Sequence, residues 1–131
     1  MPDFVLTSKI LEKAKNILVN SLIKAGVRTV MLIDSAGNIL VNCGQEADDI
    51  DSISLAALAA ANLGATSQIA KLIGEDDFSL LFHKGKNGNI HFGRIGKELI
   101  LVTIFGEDVS LGLVRCRISD LSESIRLIFE G

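Results

Sequence analysis

Apolar residues near the start of the chain recur every three or four positions, which is the spacing of one face of an α-helix. Thr7 or Ser8 can cap this helix at its N-terminus, and Gly26 can end it. The pattern therefore predicts a first amphipathic helix over residues 7–25. Its apolar face consists of Ile10, Leu11, Ala14, Ile17, Leu18 and Leu22.

Short runs of β-branched and apolar residues predict five strands. Two of them, "RTVMLID" and "NILVNCG", flank "SAG", where Gly37 can adopt the positive φ that a hairpin turn requires. Three more follow later in the chain and read "FSLLFHK", "NIHFGRI" and "LILVTIF". Because only short turns built on "GKNG" and "GKE" separate them, these three strands are predicted to form a meander.

Two further helices are predicted, one between the strand groups and one at the end. The first contains "SLAALAAANLGATSQIAK"; Asp51 or Ser52 can cap it, and it should end at Gly74. The second begins after Ser110 or Asp108. Its apolar positions repeat every three or four residues and are Leu111, Val114, Ile118, Leu121, Ile125 and Ile128.

The resulting order is α-β-β-α-β-β-β-α, and the apolar pattern also places the strands within the sheet. The first and fifth strands are apolar on both faces, which is typical of central strands covered on both sides. The hairpin then puts the second strand at one edge, and the meander puts the third strand at the other. We therefore predict one α+β domain over residues 1–131, with a five-stranded antiparallel sheet in the order 2-1-5-4-3 and helices on both faces.

The middle helix has two apolar sides, and one of them consists of small residues. A glycine inside a helix, here Gly64, costs about 1 kcal/mol relative to alanine, so it indicates close packing. We expect the bulky side to lie on the sheet and the small side to meet a second chain, although Asn62 and Thr66 leave the reverse arrangement open. The bulky set is Leu55, Leu58, Ile69, Leu72 and Ile73, and the small set is Ala57, Ala60, Ala61, Gly64, Ser67, Gln68 and Lys71.

The predicted edge strand, residues 78–84, is the second expected contact between chains. An exposed strand edge carries unpaired backbone groups that need a partner or protection. The predicted dimer interface therefore joins the small face of the helix to this edge. It comprises Ala57, Ala60, Ala61, Gly64, Phe78, Leu80 and Phe82.

Composition narrows the class of protein further. Hydrophobic residues make up 48% and charged residues 22%, with a net charge of −3 and no basic run, so nucleic acid is not an expected partner. The start of the chain lacks the pattern of a signal peptide, and Asn62 and Lys71 argue against a membrane-spanning helix. Cys43 and Cys116 are interpreted as small core residues in a reducing compartment. A cytoplasmic protein is predicted.

Candidate chemistry is sparse, and no catalytic residue, cofactor or metal site is predicted. The four-residue spacing of Gly88 and Gly93 resembles a phosphate-binding loop, but the segment alternates like a strand and lacks the required Lys. His83 and His91 lie on consecutive strands and are interpreted as solvated. The acidic run at residues 75–77 is interpreted as a solvated loop, with a metal or an Arg-rich partner as the alternative.

Three segments carry a resemblance to a known family, and they are "VRTVMLIDSAGNILVNCG", "SLAALAAANLGATSQIAKLIGE" and "GEDVSLGLVRCRISDL". Together they resemble the Roadblock family, named for a dynein light chain, and most closely its prokaryotic MglB-like branch. The resemblance implies a profilin-like sheet and a dimer in which second helices pair and third strands join. It also implies a non-enzymatic partner, activator or scaffold of Ras-like small GTPases.

The resemblance makes a homodimeric GTPase regulator the first functional hypothesis. The polar residues beside the small face, Ser67, Gln68 and Lys71, are the predicted contacts with the GTPase. A rival mechanism is the donation of a catalytic arginine, for which the candidates are Arg28, Arg94 and Arg115. The alternative functions are a small-ligand sensor of PAS or GAF type and a purely structural assembly subunit.

Overall fold

The computed structural model describes residues 6–45 and 47–130 and confirms the predicted order of elements. Residues 1–5, residue 46 and residue 131 lie outside the described part. The two ends of the predicted domain, residues 1–131, are therefore not described. The elements are α1 (Ser8–Ser21), β1 (Thr29–Asp34), β2 (Ile39–Gly44), α2 (Ser52–Leu72), β3 (Leu81–Lys84), β4 (Asn89–Ile95), β5 (Leu99–Phe105) and α3 (Leu111–Glu130).

The five strands form one antiparallel sheet in the order β2-β1-β5-β4-β3, as predicted. Every residue of β1 is buried, and every residue of β5 except Ile104 is buried. Their apolar side chains need cover on both faces, which only the centre of the sheet provides. The doubly apolar pattern thus correctly located the two central strands.

Helices cover both faces of the sheet and divide the core into two layers. On one face, α1 and α3 pack over a cluster that includes Leu32, Leu101 and Phe105. On the other face, α2 alone packs over a cluster that includes Ile33 and Val102. Since α2 has no neighbouring helix on its own face within the described chain, both of its flanks are open.

The helix caps agree with the sequence, but the first helix is shorter than predicted. Thr7 caps α1 by accepting a hydrogen bond from the backbone N–H of Ile10 at 3.2 Å. The α-helix ends at Ser21 instead of residue 25, and a single 3-10 turn (Ile23–Ala25) follows. The bend is accompanied by a hydrogen bond from the Val27 N–H to the carbonyl of Leu22, both of which are buried.

The third strand also begins later than predicted, at Leu81 instead of residue 78. Its ladder with β4 runs from the Leu81–Phe92 pair to the Lys84–Asn89 pair. Residues 78–80 precede this ladder as irregular chain. Although "FSL" has the composition of a strand, these residues have no pairing partner on β4 and do not form one.

One cysteine does not occupy the predicted position in the core. Cys43 is buried on β2, but Cys116 is exposed on α3. The buried face of α3 follows Val114, Ile118 and Leu121, and Cys116 lies about 200° around the helix from Val114. The predicted burial of Cys116 was therefore wrong.

Candidate protein interface on the second helix

The face of α2 that packs on the sheet consists mainly of small residues. Ala56, Ala59 and Ala70 are buried there, together with Leu63. The strands beneath already present large apolar side chains, so alanine lets the helix lie close to them. The expectation that the bulky side of α2 would face the sheet was wrong, because Leu58, Ile69, Leu72 and Ile73 are exposed.

The outward face of α2 is largely apolar across its width. Ala57, Ala61, Gly64 and Gln68 are exposed along its centre, and Ala60 is half-buried at its border. A Cβ atom added to Gly64 would meet nothing within 4 Å. No contact within the described chain therefore explains the glycine. The exposed large residues of this helix and its C-cap are Ile53 (79%), Leu58 (68%), Ile69 (53%), Leu72 (86%) and Ile73 (66%).

The segment leading into β3 exposes two of the three predicted edge residues. Phe78 and Leu80 are 41% and 39% exposed, respectively. Phe82 instead stacks on the buried ring of Phe105, with 6.0 Å between the ring centroids. Phe82 therefore contributes to the core beneath α1 and α3, and Phe78 and Leu80 remain on the surface.

Ser67 is held by a polar network at the border of α2. Its hydroxyl accepts a hydrogen bond from Arg94 Nη2 at 2.6 Å and donates one to Asp77 Oδ1 at 3.3 Å. Arg94 also bonds Asp77 Oδ2 through Nε at 2.6 Å and the carbonyl of Leu63 through Nη2 at 3.2 Å. The network ties the chain after α2 to β4.

This network changes the interpretation of the acidic run. Burial raises the pKa of Asp77, but the Phe78 N–H and the guanidinium of Arg94 outweigh that effect and hold the pKa below its usual value. Asp77 is thus an ion-pair partner, while Glu75 and Asp76 are exposed. The pairing was missed because Asp77 and Arg94 are far apart in the sequence and no local pattern links them.

The three arginines considered as catalytic donors differ in their surroundings. Arg94 is engaged by Asp77, Ser67 and Leu63. Arg28 is half-buried, with its guanidinium near Gly106, and it is not without partners. Arg115 is exposed on α3, on the opposite side of the sheet from α2.

The two histidines lie on opposite faces of the sheet and share no site. His83 is exposed as predicted, whereas His91 is buried beneath the helices on the α3 side. The prediction of a solvated His91 was wrong because β4 is covered on both faces. Within residues 6–45 and 47–130, no group of three or more His, Cys, Asp or Glu residues could hold a metal ion.

By length and composition alone, α2 is the one described helix that could cross a membrane. The same test is passed by helices of soluble proteins, so it is weak evidence. The buried face of α2 packs on the sheet, and its exposed face carries Gln68 and Lys71.

A family model described as the Roadblock/LC7 domain matches residues 8–105, about three quarters of the chain. The chain belongs to the Roadblock/LC7 family. This confirms the resemblance of the hairpin and of α2, while the whole of α3 follows the matched segment. The comparison with curated proteins gave no match.

Solved structures extend the similarity of this Roadblock/LC7 protein over nearly its whole length. MglB of Myxococcus xanthus is 36% identical, with a TM-score of 0.86, covering 96% of this chain and 94% of that one. The gliding protein MglB of Thermus thermophilus is 31% identical, with a TM-score of 0.87 and coverage of 99% and 98%. An MglB solved in a tetrameric arrangement is 30% identical, with a TM-score of 0.88 and coverage of 99% and 97%.

The profilin-like fold class is confirmed as well. A profilin of Schizosaccharomyces pombe is 13% identical, with a TM-score of 0.64, and it covers 87% of this chain and 97% of its own. At that identity the likeness concerns the fold alone.

Proposed function

We propose that this protein is a homodimeric, non-enzymatic regulator of a Ras-like small GTPase. The proposal takes residues 1–131 as one domain and places it in the cytoplasm. Membership of the Roadblock/LC7 family and the similarity to MglB support it. The observation that carries it is the outward face of α2, which is apolar, exposed and lined by small residues along its centre.

The dimer is proposed to form by pairing of the two α2 helices. Ala57, Ala60, Ala61 and Gly64 let the backbones approach closely, and the apolar residues on either side supply area to bury. A large exposed apolar face is typical of a site of protein association. At the sheet edge, Phe78 and Leu80 extend this surface, and Phe82 supports the edge strand from within the core.

The GTPase is proposed to bind on the paired helices through Gln68 and Lys71. Both side chains are exposed and continue the small stripe towards the C-terminal end of α2. Ser67, tied to Arg94 and Asp77, would position this part of the helix and contribute less direct contact. Two helices fixed on rigid sheets form one ledge, and a ledge that fits only one arrangement of the switch loops favours that arrangement.

We propose that the regulator stimulates GTP hydrolysis by favouring one arrangement of the switch loops, and not by donating an arginine. Arg94 is held by three partners, and Arg115 lies on the face opposite α2. Neither is placed to reach a nucleotide bound above α2. An arginine finger would be shown by an Arg28→Ala, Arg94→Ala or Arg115→Ala variant that binds the GTPase normally but has lost stimulation.

The Lys71→Glu variant tests the proposed binding surface. We expect its affinity for the GTP-bound form of the cognate GTPase to fall about tenfold, because reversing a charge at an interface exchanges attraction for repulsion. Titration calorimetry with the GTP-analogue and GDP forms, followed by single-turnover GTP hydrolysis, measures the effect. Lys24→Glu, an exposed charge reversal on the α1 side, is the matched control. Equal wild-type affinity for both nucleotide forms would contradict the selection mechanism.

The Gly64→Leu variant tests the proposed pairing of α2. The added side chain meets nothing within the chain, so the fold should be retained. In the paired helices it would overpack the contact and weaken the dimer by about 1–3 kcal/mol. Sedimentation equilibrium measures the dissociation constant.

Gly112→Leu is the control for this experiment. It places the same side chain at an open position of α3, where the nearest atom to an added Cβ is Ser110 Oγ at 4.0 Å. A Gly64→Leu dimer as stable as the wild type would show that the small stripe is not the contact between chains.

A further inference from the structure

A cavity of about 380 Å³ lies between α2 and α3, around the outer edge of β4. It occurs where β3 has not yet begun, because the ladder between β3 and β4 ends at the Leu81–Phe92 pair. Its apolar walls come from both layers of the protein. They are formed by Leu63, Phe78, Leu81, Phe92 and Ile118.

A buried histidine on the floor of this cavity has an unsatisfied polar atom. His91 is 5% exposed, and its Nδ1 has no hydrogen-bond partner among the described residues. Thr103, its cross-strand neighbour on β5, is completely buried, and its Oγ1 has no partner there either. Unsatisfied buried polar atoms are uncommon, and the one on His91, a residue of the lining, indicates a place that is completed by a polar molecule.

The rim of the cavity is cationic. Arg115 lines it and has no hydrogen bond or ion pair among the described residues. The one carboxylate in the lining, Asp77, is already paired with Arg94. Burial and the charge of Arg115 both lower the pKa of His91, so the imidazole is neutral near pH 7 and can donate one hydrogen bond. The uncompensated charge in the cavity is therefore positive.

Gly93 leaves room at the floor of the cavity. A Cβ atom there would lie 3.3 Å from His91 Cε1 and 3.7 Å from Ile118 Cγ2. Any side chain at this position would crowd the imidazole and occupy part of the space. Apolar walls around a few convergent polar groups are characteristic of a small-molecule site.

We propose that this cavity binds a small organic carboxylate. The carboxylate lies between the guanidinium of Arg115 and the imidazole of His91, and the apolar body lies against Ile118 on the same face of the sheet. The site shares Phe78 with the proposed dimer surface at the sheet edge, but its lining contains neither Gln68 nor Lys71, so its existence does not depend on GTPase binding. It would give the protein a ligand-sensing capacity in addition to its proposed function.

Benzoate and hexanoate, each compared with its neutral amide, are suitable probes for the full-length chain. Ligands of this size are expected to bind with a Kd of about 1–10 mM. Amide chemical shifts from ¹H–¹⁵N spectra should change with saturation at Gly93 and Ser119, two residues of the lining. The amides should bind at least about tenfold more weakly, because they lack the charge that Arg115 pairs.

Arg115→Gln and Arg117→Gln form a matched pair of variants. Both remove an exposed positive charge from α3, but only Arg115 lines the cavity. Carboxylate affinity should fall at least about tenfold in Arg115→Gln and stay unchanged in Arg117→Gln. Equal losses in the two variants, amides that bind as well as carboxylates, or no saturable shift at the cavity with either carboxylate would each overturn the proposal.

Discussion

The Ala61→Asp variant is expected to be monomeric at concentrations at which the wild-type chain is a dimer. Ala61 is exposed on the outward face of α2, at the centre of the proposed contact. Pairing of the helices would bury one unpaired carboxylate from each chain. Leaving a buried charge unpaired costs about 3–5 kcal/mol, so the dissociation constant should rise at least about 100-fold.

Sedimentation velocity over a dilution series measures this change, and thermal unfolding checks that the monomer is folded. Ser124→Asp introduces an aspartate at an exposed position in the middle of α3 and is the control. The control should sediment like the wild type. If Ala61→Asp is still a dimer, the outward face of α2 is not the dimer interface. If the wild type is a monomer, the proposal of a dimer is wrong.

The Phe105→Ala variant is expected to lose about 3–5 kcal/mol of unfolding free energy, the range for removal of a buried aromatic ring. Phe105 is 1% exposed, and its ring stacks on Phe82 of the edge strand. Many domains are stable by only about 5–15 kcal/mol, so this loss would be a large fraction of the total. Denaturant unfolding at one fixed chain concentration measures it.

Hydrogen exchange adds a local measurement to the same experiment. Amides of β3 should lose more protection than amides of β1, because the Phe82–Phe105 stack attaches the edge strand to the core. Leu127→Ala, at a position 51% exposed on α3, is the control and should change stability by no more than about 0.5 kcal/mol. Unchanged stability of Phe105→Ala would contradict the described core.

Strand order was predictable because two strands carry an unambiguous pattern. β1 and β5 are apolar on both faces, and only the centre of a sheet accommodates such strands. The start of β3 was not predictable, because Phe78 and Leu80 have the composition of a strand but lack pairing with β4. Local propensity does not encode which residues find a partner strand.

The face of α2 that packs on the sheet was harder to predict from the sequence than the order of the strands. Alanine favours a helix without specifying a face, so a helix with alanine on both sides gives no clear direction of burial. The close packing expected at Gly64 stays a prediction, because a Cβ atom added there would meet nothing within 4 Å in the described chain. The burial of His91 and the Asp77–Arg94 pair depend on tertiary contacts, which no local pattern in one sequence contains.

The single layer of α2 on its face of the sheet has a consequence if two copies pair as proposed. The binding ledge would then consist of two α2 helices and would exist only in the dimer. Below the dissociation constant, the number of such ledges rises with the square of the chain concentration. A twofold change in expression would then change the amount of active regulator about fourfold, so cellular abundance would itself set the threshold at which the GTPase is controlled.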